Sequence, residues 1–82
     1  MYQIISNCIN IRDIKLEYEL QKEPLINGSV SYSIRVRKGE ETATLVDVST
    51  SYQTARELFD MLVRGSVTPI TAFDILEDWL LR

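Results

Sequence analysis

Eighty-two residues with a formal net charge of −3 and 45% apolar side chains are enough for one domain and too few for two. The apolar fraction excludes a disordered chain, and the negative balance argues against non-specific attraction to nucleic acid, which needs a positive field. The absence of histidine removes imidazole bases, catalytic triads and most transition-metal sites in one stroke.

From the N-terminus, Met1 to Cys8 shows neither the basic stretch nor the apolar run of a secretory signal, and position 2 is not the glycine that myristoylation needs. Cys8 is the single cysteine, so no intrachain disulfide can form; it reads as a small buried hydrophobe in a reducing cytoplasm. Residues 1–12 are a lead-in or a short edge strand, because their alternation is too broken to decide. Residues 13–48 then read as a β-meander. Asp13 to Lys22 alternates, with Ile14, Leu16, Tyr18 and Leu20 on one side and Lys15, Glu17, Glu19 and Gln21 on the other. Pro24 and the Asn27-Gly28 turn dipeptide separate it from a second alternating run, Val30 to Lys38. There Val30, Tyr32, Ile34 and Val36 face in, and Ser31, Ser33, Arg35 and Arg37 face out.

Thr42 to Val48 reads as a third strand. A three-residue loop, Gly39 to Glu41, turns Thr44, Val46 and Val48 inward; a two-residue loop turns Leu45 inward instead, because a one-residue slip flips the strand. The first register is preferred, since it buries two β-branched valines against one leucine.

Residues 50–82 form a helical hairpin. Thr50 with Gln53 fits a capping box, Ala55, Leu58, Phe59 and Leu62 recur at helical spacing, and Arg56, Asp60 and Arg64 stand four apart as a charge ladder. Gly65 is placed to end this helix in a left-handed conformation. Thr68 then caps a second helix with Pro69 at its first position, and Val67 can staple onto Ala72. Ala72, Phe73, Ile75, Leu76, Trp79 and Leu80 share one arc. Thr71, Asp74, Glu77 and Asp78 share the other, with Ile70 and Leu81 stranded among the acids. Strands followed by helices predict an α+β domain spanning residues 1–82: a three-stranded antiparallel β-meander with the helix pair on its inner face. Leu16, Tyr18, Tyr32, Ile34, Leu58, Leu62, Phe73 and Leu76 are its expected core, and Trp79 is assigned there rather than to an interface.

Little catalytic chemistry survives this inventory. There is no Gly-rich phosphate loop, and Asp74, Glu77 and Asp78 lack the loop spacing of a calcium site, so they read as a solvated face. Ser49, Thr50, Ser51 and Thr54 read as caps rather than an anion site. No metal and no cofactor is expected. Two surfaces are left. Ile70 and Leu81, rimmed by Asp74, Glu77 and Asp78, form a candidate partner-binding face for a second copy of the chain or a basic protein. Lys15, Arg35, Arg37 and Lys38 form a candidate basic face on the outside of the sheet, short of the aromatic residues that stack bases.

The helical tail, Val67-x-Pro69 followed by Asp74-x-x-Glu77-Asp78-Trp79-Leu80, resembles a family of small uncharacterised proteins of Clostridia and related Firmicutes that carries the label of a domain of unknown function. Val46-x-Val48-Ser49 and the helix from Leu58 to Val63 fit the same layout, so the resemblance covers the second half of the chain. It implies a bacterial, cytoplasmic origin and brings no catalytic residues. The expected function is a non-enzymatic protein-interaction or regulatory domain, acting as a homodimer or on another protein, with no membrane segment. The alternative is a nucleic-acid-associated regulator using the basic sheet face.

Overall fold

The computed structural model describes residues 2–81; Met1 and Arg82, the ends of the expected domain, lie outside the described residues. Four strands precede two helices: β1 (Tyr2–Ile11), β2 (Ile14–Pro24), β3 (Val30–Lys38), β4 (Glu41–Ser49), α1 (Tyr52–Arg64) and α2 (Pro69–Leu80). The strands lie in chain order, β1-β2-β3-β4, and each pair of neighbours is antiparallel. The sheet therefore has four strands, not the expected three.

β1 escapes a reading by alternation because of its bulge. Gln3 pairs with Gln21 and Ile5 with Leu20, so Ile4 is an extra residue that shifts the period. Beyond it the order is regular: Ile5, Ile9 and Ile11 stand opposite Leu20, Leu16 and Ile14, and Ser6, Cys8 and Asn10 point to the other face. The turn to β2 is also disguised. Arg12 and Asp13 both have positive φ, 48° and 68°, as a two-residue type I′ hairpin turn requires, yet neither is the glycine that usually signals one. Cys8 is exposed rather than buried, because it faces away from the helices on this edge strand.

The β2–β3 hairpin follows its sequence closely. Gly28 takes φ 85° in the connecting loop, and the Asn27 carboxamide oxygen accepts from the Ser29 N–H at 3.1 Å. β3 and β4 meet across a two-residue turn, Lys38 opposite Glu41, with Gly39 at φ 59°. This overturns the preferred register. Ala43 and Leu45 face the core, and Val46 is 59% exposed. Val48 still reaches the core because β4 bulges. Between the pairs Ile34–Leu45 and Tyr32–Ser49, three β4 residues stand against Ser33 alone, and Asp47 sits at φ 53°. Two serines brace the bulge: the Ser31 hydroxyl donates to the Asp47 carboxylate at 2.7 Å, and the Asp47 N–H donates to Ser33 Oγ at 3.3 Å.

Both helices lie on the face carrying Leu16, Tyr18 and Leu20, over β2, β3 and β4, which leaves β1 largely uncovered. The N-cap of α1 is Ser51, one residue later than the expected Thr50; its hydroxyl accepts from the Thr54 N–H at 3.4 Å. The C-terminus is also one residue late. Gly65 stays right-handed at φ −84°, and Ser66 takes the left-handed position at φ 49°. The Ser66 and Val67 N–H groups then bond to the Val63 and Leu62 carbonyls, both at 3.1 Å, in a Schellman motif. Of the expected charge ladder only Arg56–Asp60 forms, at 3.0 Å; Arg64 bonds the Asp60 main-chain carbonyl. Thr68 is the N-cap of α2 and Pro69 its first residue, but the Thr68 hydroxyl lies 3.1 Å from the Thr71 hydroxyl and caps no N–H.

Candidate protein-docking face

α2 is pinned at its start. Pro69 and Ala72 are buried, Ile75, Leu76 and Trp79 pack against the core in part, and the Tyr18 hydroxyl donates to the Val67 carbonyl at 2.8 Å just before the helix. That bond ties the connecting segment to the centre of the sheet. Burial raises the Tyr18 phenol above its ordinary value.

The rest of α2 is not used by the core. Ile70 is 73% exposed, Phe73 53%, Leu80 63% and Leu81 79%. Positions 70, 73, 77 and 80 recur at helical spacing, so Ile70, Phe73 and Leu80 form one stripe, with Glu77 inside it and Leu81 at its end. Phe73 was expected inside and lies outside. The arc drawn from the sequence is wider than the contact the sheet offers, since α1 already occupies the middle strands. Ile70 and Phe73 face the start of β4, where with Glu41, Thr42 and Ala43 they border a depression of about 330 Å³. On the opposite flank, Met61 of α1 with Ile75, Asp78 and Trp79 lines a cavity of about 400 Å³ between the helices. Asp74, Glu77 and Asp78 are all exposed, and α2 contains no lysine or arginine. The structure thus brings Ile70 and Leu81 together with all three acids, and adds Phe73 and Leu80.

The basic face is a different matter. Glu17 stands opposite Arg37 and Glu19 opposite Arg35 on β2 and β3. The Arg37 Nε donates to Glu17 at 2.6 Å, Arg35 to Glu19 at 2.5 Å, and Lys15 lies 3.3 Å from the other Glu17 oxygen. Arg37 first, then Lys15, hold the Glu17 carboxyl below its ordinary value. Lys38 does not belong to this group. It pairs with Leu16 and shares the parity of Val36, so it leaves the sheet on the helix side. Two of the four expected cations, Arg35 and Arg37, are therefore paired with cross-strand acids, Lys15 shares Glu17 with Arg37 along its own strand, and the fourth, Lys38, is on the other face.

Among the described residues, no three His, Cys, Asp or Glu side chains converge as a metal site, and no helix is long and apolar enough to cross a membrane. A family model described as "Family of unknown function (DUF6514)" matches residues 3–82, nearly the whole chain and not its second half alone. No curated protein and no solved structure matches it.

Proposed function

We propose that this chain, which belongs to the family of unknown function DUF6514, is a non-enzymatic protein-interaction domain whose α2 face receives a basic, partly apolar surface of another protein. The observation that carries this reading is the exposure of Ile70, Phe73, Leu80 and Leu81 on one short helix. Scattered apolar residues on a surface need no explanation, but four on one helix rimmed by acids have the composition of a small interface with a polar rim. The acids also select the partner. With no cation on α2, two copies meeting through this face bring Asp74, Glu77 and Asp78 near their own mates, whereas a basic surface complements them.

An exposed Cys8 thiol accords with a reducing, cytoplasmic setting. The nucleic-acid reading is not favoured, because Lys15, Arg35 and Arg37 are engaged by Glu17 and Glu19.

The test is the double variant I70S/L81S. Its circular dichroism and melting should match the wild type, and a partner captured by the wild-type chain and confirmed with purified protein should be lost. Retention of every confirmed partner by the folded double variant would reduce the α2 face to a solubilising surface.

A further inference from the structure

A four-stranded open sheet has two edges, and here they differ. The β4 edge is guarded: it bulges around Asp47, carries Glu41 and Asp47, and has Ile70 and Phe73 of α2 beside its start. Such bulges and charges are the ordinary means of stopping a strand from pairing with another chain. The β1 edge has none of them from Ile5 onward. Ile5 to Ile11 pairs with β2 without a shift, Gln3 to Ile11 contains neither charge nor proline, and the helices leave this strand largely uncovered. Every second residue of such a strand turns its N–H and C=O to the open side, where only another strand can pair them in a ladder.

The residue pattern identifies which strand. A two-fold axis perpendicular to the sheet runs the mate antiparallel and keeps each face on its own side. Residues of one parity then meet residues of the same parity. The row Ile5, Asn7, Ile9 and Ile11 faces itself, with Ile5 against Ile9 where Asn7 lies on the axis, and the row Ser6, Cys8 and Asn10 faces its own uncharged polar groups. No register in this stretch sets like charges against each other, because it has no charges; β4 and α2, both acidic, lack that property. We propose that β1 is a self-pairing edge, joining two copies of this chain through antiparallel β1–β1 contact into one eight-stranded sheet with both helix pairs on the same face. This surface is distinct from α2 and leaves it open in each copy.

The experiment is sedimentation equilibrium of the full chain over a wide concentration range, with reductant present so that no Cys8 disulfide supplies the link. The wild type should have the mass of two chains. Replacing two exposed outer-face residues with lysine, S6K/C8K, should reduce it to one at concentrations where the wild type is paired, and S6E/C8E should do the same. Mixing the two variants should restore the two-chain mass, since lysines of one copy then face glutamates of the other. The I70S/L81S variant should remain paired, which separates this result from the fate of the α2 reading. A wild type of one-chain mass throughout, a folded lysine variant that stays paired, or a mixture that stays apart would each overturn the proposal. Should the glutamate pair, which stands opposite Glu19 and Glu17 of its own β2, unfold the chain by circular dichroism, the lysine pair alone carries the test.

Discussion

Helices α1 and α2 are joined by four residues and lie over the same sheet, yet they use their apolar side chains in opposite ways. α1 commits Ala55, Leu58, Phe59 and Leu62 to the core, and both its ends are closed, by Ser51 at the start and the Ser66 Schellman motif at the finish. α2 is the more apolar segment, but only Pro69 and Ala72 are buried, and its N-cap hydroxyl bonds no backbone N–H. The difference shows that hydrophobicity alone does not say where a helix spends it. α1 covers mainly β2 and β3, α2 lies mainly over β4, and what α2 cannot bury there is left on its outer side.

The contrast breaks most clearly with large-to-small changes. Leu58→Ala or Phe59→Ala removes a side chain that is wholly buried, and should cost ~2–5 kcal/mol. Ile70→Ala, on the exposed stripe, should stay within ~0.5 kcal/mol of the wild type. Urea melts read both values. Equal losses at the two sites would mean that α2 is as much a part of the core as α1.

A smaller effect comes from the tether between them. Tyr18→Phe keeps the ring and removes the hydroxyl that donates to the Val67 carbonyl, leaving that acceptor short of a partner. The expected cost is ~1–2 kcal/mol in a urea melt. It should also change the alkaline limb. The Tyr18 phenol is raised by burial, so its neutral form contributes stability that is complete below the unfolded value near 10 and is lost as pH rises through the folded one. The variant should lack that part of the alkaline decline.

The sequence exposes some of this architecture and hides the rest for physical reasons. β2 and β3 alternate strictly in side-chain direction, so the pattern reads them directly, although Ser31 and Ser33, expected on the wet face, are buried against the β4 bulge at Asp47. β1 does not, because Ile4 is inserted and because its inner face is only partly dried, Ile5 and Ile9 packing against the core while Asn7 sits between them opposite Tyr18. The β4 register was misjudged because Leu45 and Val48, three apart, are both buried; only an inserted left-handed residue allows that, and its trace is Asp47. The exposure of Ile70 and Leu81 is legible because they fall outside the apolar arc of the helix. Phe73 and Leu80 fall inside the arc, and only the packing of α1 decides that they stay wet. The place of Lys38 is legible too, since it shares the parity of Val36 and so stands on the helix side rather than the expected outer face.

The smallest expected effect lies on the sheet face opposite both helices, and it tests whether the α1–α2 contrast depends on that face at all. Glu17 is held by Arg37 and Lys15, which depress its carboxyl below the ordinary value. Between the depressed folded value and the ordinary unfolded one, the unfolded chain binds more protons than the folded chain, so stability rises with pH there. The contribution is complete above the ordinary carboxylate value and disappears as pH falls through the folded one. Glu17→Gln should therefore flatten the acid limb of a urea-midpoint against pH curve and leave the alkaline limb, governed by Tyr18, unchanged. The ladder is solvent-facing and screened, so the flattening should shrink further at high salt. An acid limb that keeps its full slope in the variant would assign acid sensitivity to other carboxylates. A variant that also lost the confirmed α2 partner would show that the outer ladder, and not the helix packing alone, sets how α2 is presented.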